Sequence, residues 1–375
     1  MHEYFGFLII VILFMFCILC PADCATVTFG PAENYAAGIG PHGLAVGDFN
    51  GDGKLDLVVT NIGSSSVSVL LGKGDGTFGQ ARSYTVGLNP QSVALGDFNG
   101  DHKLDLVVGN AGSNTVSILL GNGDGTFRSA ADYAVGTSPS SVVVGHFNSD
   151  SPLDLAVANH GNASICEEGS LSILLGNGDG TFRHHGQYDA GQCPGSLVAA
   201  DFNSDGRLDL ATQTSILLGN GDGTFQQTLN YHPGLVPGWI AVGDFNRDGR
   251  LDIAGNVRPN PFAPFTRVVA IYIGNGDGTF QAPKEQAAGR DWPVSVAVGD
   301  FDRDGKLDLA TTGVNVSKVS VLIGNGDGSF QPPVSFPVGS KPVCVAIGDF
   351  NGDGRPDLVV TNYASNSVSI LLNRD

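Results

Sequence analysis

A nine-residue pattern, D-x-N-x-D-G-x-x-D or a close variant, returns seven times along this 375-residue chain, starting at Asp48, Asp97, His146, Asp201, Asp244, Asp300 and Asp349. Successive starts lie 43 to 56 residues apart, the length of a whole supersecondary unit and far too long for a short tandem array. Each copy is therefore one structural module, and the fold is their assembly.

The copy at 89–127 reads NPQSVALGDFNGDHKLDLVVGNAGSNTVSILLGNGDGTF. Three short apolar runs, Ser92–Gly96, Leu104–Val108 and Val116–Leu120, are separated by Gly, Asn, Asp and Ser clusters, which is the pattern of strands and turns. A fourth strand, Phe127–Val135, is entered through Asn-Gly-Asp-Gly, a strong hairpin signal. Four antiparallel strands make a blade, and seven such blades predict an all-β, seven-bladed β-propeller with almost no helix. The chain ends support closure. Residues 26–35, TVTFGPAENY, align with 75–84, DGTFGQARSY, so Phe29 matches Phe78 and Tyr35 matches Tyr84. The last copy stops at Asp375, after its third strand, so the N-terminal segment supplies the missing outer strand and removes an exposed edge. No linker or composition break interrupts 26–375, which reads as one domain.

Residues 1–25 stand apart. Phe5–Cys20 is mostly apolar, short for a membrane span, and followed by Pro21-Ala22-Asp23-Cys24-Ala25, as in a secretory signal, although the segment before it carries His2 and Glu3 and no Lys or Arg. The expectation is export, to a secreted, periplasmic or cell-surface location, with membrane association only through an uncleaved N-terminus. Removal of that segment leaves Cys166, Cys193 and Cys344, an odd number. Cys166 falls in the loop between the second and third strands of blade 3 and Cys193 in the connection to blade 4. These emerge on one face, so either a disulfide or two separate thiols is open at this point.

Within the nine-residue loop, oxygens at positions one, three, five and nine and the backbone carbonyl of position seven can converge, and hard oxygen donors so spaced suit Ca²⁺. Glycine at position six permits the sharp turn. The candidate ligands are Asp48, Asn50, Asp52, Lys54 (carbonyl) and Asp56 in blade 1, and Asp97, Asn99, Asp101, Lys103 (carbonyl) and Asp105 in blade 2. Blades 4 and 5 offer Asp201, Asn203, Asp205, Arg207 (carbonyl) and Asp209, then Asp244, Asn246, Asp248, Arg250 (carbonyl) and Asp252. Blades 6 and 7 offer Asp300, Asp302, Asp304, Lys306 (carbonyl) and Asp308, then Asp349, Asn351, Asp353, Arg355 (carbonyl) and Asp357. Asp302 gives blade 6 a fourth carboxylate. His102 replaces glycine in blade 2 and strains its turn, so weak binding is expected there. Blade 3 has His146 at position one and Ser151 at position six, so its loop is expected to stay empty, leaving about six ions.

The repeated motif resembles the FG-GAP or VCBS repeats of integrin α-subunit propellers and their bacterial relatives across 26–375, and a family of fungal seven-bladed lectins is similar in the same way. The resemblance implies a propeller with calcium at the loop positions named above. It does not imply one ligand.

The loops hold 21 of the 37 acidic residues, and six Ca²⁺ would move the formal charge from −18 to −6. Acidity here is mostly metal site. Only 19 Lys and Arg, none clustered, argue against nucleic acid, and the Gly-rich turns lack the helix that a phosphate-cradling loop needs.

Function is sought where the copies depart from one another. Blade 3 has a long loop at His160–Gly169, blade 4 passes almost directly from Ala211 to Ile216, and blade 5 has the longest loop, Gly255–Arg267. Two tall walls beside a low one predict a notch on the face opposite the metal loops. His160, His232, Trp239, Arg258, Phe262, Phe265, Arg290 and Trp292 are its candidate ligand-binding residues, since flat aromatics beside cations can stack on a sugar or anchor a protein. The competing reading is that these aromatics plug the channel mouth and pack their own loops. No nucleophile–base–orienter set stands out. The expectation is an exported, calcium-binding, non-enzymatic module for a glycan or extracellular protein, with a structural scaffold and a glycan-active enzyme as alternatives.

Overall fold

The computed structural model describes residues 27–162, 169–191, 193–226, 229–230, 239–257, 268–286 and 293–375. Seven four-stranded antiparallel sheets account for every strand among them. Blade 1 comprises Pro41–Gly47, Asp56–Asn61, Ser66–Leu70 and Arg82–Thr85. Blade 2 comprises Pro90–Gly96, Asp105–Asn110, Thr115–Leu119 and Ala131–Ala134, and blade 3 Pro139–Gly145, Asp154–Asn159, Ser170–Gly176 and Phe182–Asp189. Blade 4 is the shortest, with Val198–Ala200, Asp209–Ala211, Ser215–Leu217 and Leu229–Asn230. Blade 5 has Ile240–Gly243, Asp252–Val257, Val268–Tyr272 and Lys284–Gln286, and blade 6 Pro293–Gly299, Asp308–Gly313, Lys318–Leu322 and Val334–Pro337. Blade 7 takes Pro342–Gly348, Asp357–Asn362 and Ser367–Leu371 from the end of the sequence and Glu33–Ala36 from its beginning, with Glu33 opposite Ile370 and Ala36 opposite Ser367. The expected closure by the N-terminal strand is thus observed. Among the described residues the one helical element is a 3-10 turn at Ile62–Ser64.

Burial follows from stacking the blades face to face in a ring. Second and third strands are covered on both sides, so runs such as Leu57-Val58-Val59 are fully buried. Outer strands such as Arg82–Thr85 are mostly exposed. First strands line the axis, and each packs against the first strands of its neighbours, including blade 1 against blade 7. Seven apolar clusters form among the described residues, one at each blade–blade junction.

A second set of junction contacts is written into the repeat. The phenylalanine at loop position two packs edge-on against the phenylalanine that ends the next blade's third-to-fourth-strand hairpin. The pairs are Phe49–Phe127, Phe98–Phe182, Phe147–Phe225, Phe202–Phe280, Phe245–Phe330, Phe301–Phe29 and Phe350–Phe78, with centroids 5.4 to 6.0 Å apart. Each such pair contributes about 0.5–1.5 kcal/mol beyond its buried area. A hydrogen bond accompanies each pair. Gly125 N donates to Phe49 O at 3.0 Å, and the same bond recurs around the ring. Blade 7 lacks that hairpin, and there Asn373 Nδ2 donates to Phe301 O at 2.8 Å. The ends are further tied by Thr28, whose Oγ1 donates to Asp375 Oδ1 at 2.8 Å and whose N–H donates to Asp375 Oδ2.

The fourth strand of blade 2 is shorter than the sequence suggests: it begins at Ala131, and Phe127 makes only an isolated bridge to Gly121, whereas in blade 3 the equivalent Phe182 opens the strand. Cys193 is disulfide-bonded, Cys344 is a buried free thiol, and Cys166 lies outside the described residues. So does the apolar segment Phe5–Cys20.

Candidate functional site

The nine-residue loops join first to second strands, all on one face of the ring. Their position-nine aspartates have a duty that residue type alone does not reveal. Asp56 is fully buried, and its Oδ2 accepts Phe49 N at 2.9 Å while its Oδ1 accepts Gly72 N at 2.8 Å. The carboxylate therefore ties the loop to the end of the third strand. Asp105, Asp154, Asp209, Asp252, Asp308 and Asp357 repeat this latch. Blade 3 keeps it even though His146 stands at position one, which explains why Asp154 is present in a degenerate loop. Burial raises these carboxyls above the usual range, Asp308 to about 7 and Asp357 to about 6, against the opposing pull of their two N–H donors.

Position one closes the loop on itself. Asp48 Oδ1 accepts Gly51 N at 2.8 Å and Oδ2 accepts Gly53 N at 2.8 Å. Two residues take left-handed backbone in every loop except that of blade 3. Gly53 has φ 79°, and a Cβ added there would meet nothing within 4 Å, so conformation and not crowding favours glycine. His102 adopts φ 62° at the same place, as expected for a strained turn. Position four was not foreseen. Gly51, Gly100 and Gly352 share it with Ser204, Arg247 and Arg303, all at positive φ. Position seven also carries more than a carbonyl. The side chains of Lys54, Lys103, Arg207, Lys306 and Arg355 pair with Asp52, Asp101, Asp205, Asp304 and Asp353 at 2.6 to 3.9 Å.

One loop brings three carboxylates together. Ligand oxygens of Asp300, Asp302 and Asp304 all lie within 4.8 Å of one another, and Asp302 Oδ2 is buried with no hydrogen-bond partner. At that separation each pair of charges repels by about 1 kcal/mol in water and about 3.5 kcal/mol at an effective dielectric of 20. Burial raises the Asp302 carboxyl. An oxygen-only donor set with an orphaned oxygen fits a hard divalent cation. In blade 3, by contrast, His146 Nδ1 sits 3.3 Å from the position-seven carbonyl, Pro152 O, and Ser149 Oγ donates to Gly221 O at 2.7 Å.

On the opposite face, His160 is half-buried after Asp154–Asn159, with burial lowering its pKa. Trp239 is half-buried before Ile240–Gly243, and its backbone N–H donates to Val294 O of blade 6 at 3.1 Å. His232, Arg258, Phe262, Phe265, Arg290 and Trp292 lie outside the described residues, as do most of the two long loops expected to wall the notch. The short blade 4 connection is described. Thr212–Thr214 is a tight turn in which Thr212 N donates to Ser215 O at 2.8 Å.

The fold has solved relatives. An Agrocybe aegerita lectin that recognises non-reducing terminal N-acetylglucosamine is 19% identical, with a TM-score of 0.53 over 89% of this chain and 96% of that one. BBS1N, in complex with ARL6DN, is 15% identical with a TM-score of 0.59 over 92% and 96%. Virginiamycin B lyase from Staphylococcus aureus is 13% identical with a TM-score of 0.59 over 92% and 99%. At these identities the likeness is one of fold. Comparison with curated protein sequences returns no match. The FG-GAP-like repeat matches at residues 48–108, 97–157, 147–212, 211–255, 262–311 and 312–360, and with the motif recurring at every blade the chain belongs to the FG-GAP-like repeat family.

Proposed function

We propose that this protein is an exported, calcium-binding module that captures a glycan or protein ligand without chemically altering it. The observation that carries the metal half is the Asp300–Asp302–Asp304 convergence with its orphaned Asp302 oxygen. Asp300, Asp302, Asp304, the Lys306 carbonyl and Asp308 would hold the ion in blade 6, and the matching residues of blades 1, 2, 4, 5 and 7 would do so there. Calcium, when bound, would supply positive charge among the converging carboxylates beyond what the position-seven side chains offer. The chain's own residues do the rest. Position-one carboxylates gather the loop amides, and the position-nine latches hold each loop against the third strand. For blade 3 the reading is a loop closed by protein contacts alone.

Support for ligand capture comes from two relatives of the fold, a lectin and BBS1N bound to ARL6DN, and from differing turns on the face opposite the loops. Export rests on the Phe5–Cys20 segment. The test is calorimetric titration with CaCl₂, followed by glycan and protein arrays run in calcium and in chelator. About six sites and saturable, calcium-dependent capture are expected. No calcium heat would refute the metal half, and silence on every array would refute the module in favour of a scaffold.

A further inference from the structure

On the loop side all seven junctions share one set of contacts, but toward the opposite face they differ. Between blades 7 and 1 the Thr361 hydroxyl stands between the two first strands: its Oγ1 accepts Cys344 N of blade 7 at 3.0 Å and donates to His42 O of blade 1 at 2.9 Å. Between blades 6 and 7 Thr312 Oγ1 donates to Val343 O at 3.0 Å from the same place in the repeat. Four joints add a serine. Ser92, Ser141, Ser196 and Ser295 accept the N–H of Val142, Leu197, Ile240 and Val345, each on the next blade's first strand, at 3.1 to 3.3 Å.

The junction between blades 5 and 6 has neither device. Counted from the nine-residue motif, Asn256 takes the place of Thr361, Trp239 that of Ser295 and Cys344, and Val294 that of His42. Trp239 N donates directly to Val294 O at 3.1 Å, so these strands make by contact the link that Thr361 makes by insertion. Asn256 is 2% exposed, and neither its Oδ1 nor its Nδ2 has a hydrogen-bond partner among the described residues. It lies one residue beyond the Ile240–Gly255 pair, as Trp239 does. It also shares a sheet face with Ala254, which clusters with Val296 and Leu309 of blade 6.

A buried amide left unpartnered on both atoms is destabilising. The two groups that would satisfy it, an N–H and a carbonyl, are the ones now bonded to each other. Turning Asn256 between them directs Trp239 N–H to Oδ1 and Nδ2–H to Val294 O, two bonds in place of one, while parting the first strands. Each arrangement holds something the other lacks, close strands in one and a satisfied amide in the other, which is the condition for a bistable element. We infer that the blade 5–6 junction is a two-position joint, closed by the direct Trp239–Val294 bond and opened by insertion of the Asn256 amide. Trp239 is half-buried on the face opposite the loops, so a partner that touches it there would select one position. The inference stands independently of the ligand class proposed above.

The test places fluorotryptophan in the full chain carrying Trp292→Phe, which leaves Trp239 as the single reporter. Fluorine relaxation dispersion then senses microsecond-to-millisecond exchange with a minor state populated at about 0.1–10%. Exchange is expected with Asn256 in place. Asn256→Leu, which keeps the branch at Cγ and cannot hydrogen-bond, should abolish it. Asn256→Thr, which restores the blade 7 arrangement, should abolish it too and move the resonance toward the minor-state shift. Both variants should raise the melting temperature by about 1–4 °C, since each removes the orphaned amide. A flat dispersion profile with Asn256 in place, or exchange persisting in Asn256→Leu, would overturn the joint. Lowered melting temperatures in both folded variants would show the amide to be satisfied at rest and would overturn it as well.

Discussion

Replacing Phe350 by alanine asks whether the ring is held at blades 7 and 1 as firmly as elsewhere. Phe350 is 3% exposed and meets Phe78 with centroids 5.6 Å apart, inside a cluster with Leu57, Leu70, Val359, Val368 and Ile370. Phe98, also 3% exposed, meets Phe182 at 5.4 Å and is its counterpart between blades 2 and 3. Truncating a buried phenylalanine costs about 3–5 kcal/mol. The Gly76 N to Phe350 O bond survives because the main chain is spared. For a cooperative unit of about 350 residues, an unfolding entropy near 2.1 cal/mol/K per residue sums to about 0.7 kcal/mol/K, so a loss of about 4 kcal/mol lowers the melting temperature by about 5–6 °C. Differential scanning calorimetry of both variants, with calorimetric and van't Hoff enthalpies compared, supplies the measurement. Equal drops are expected. A drop under about 1 °C for Phe350→Ala beside a full drop for Phe98→Ala would refute the claim that all seven junctions are equivalent.

Other outcomes follow from the loops and the core. Asp308 and Asp357 have folded pKa values of about 7 and about 6, above the unfolded value of about 3.9, so the folded state binds protons more tightly. In chelator their contribution should be smallest above pH 8 and grow as pH falls through 7 and 6. Asp308→Asn should flatten the upper part of that profile, and a melting temperature that rises steadily from pH 6 to 8 would contradict the sign. His102→Gly should stabilise by about 1 kcal/mol through relief of left-handed strain, measured by urea unfolding; an unchanged or lower midpoint counts against it. Burial pushes the Cys344 thiol up to about 11, so it should resist a thiol reagent at pH 8 in the native protein and react on denaturation. Rapid native labelling would show the site is open.

The recurrence was enough to read blade number, strand order and closure, because Phe29 and Phe78 occupy equivalent places and Phe29 pairs with Phe301 as Phe78 pairs with Phe350. Partners were harder to read than positions. Asp56 looks like any other loop carboxylate in the sequence, and only the arrival of Gly72 N from a distant strand reveals it as a latch. Lys54 was read for its carbonyl, yet its side chain answers Asp52.

The phenylalanine pairs and latches all sit on the face of the nine-residue loops, and the turns between second and third strands take no part in them. One side of the disc thus serves as chassis and leaves the other free of that duty. A foreign peptide spliced into the exposed turn between Gly313 and Lys318 would disturb neither, which suits the protein to use as a display frame.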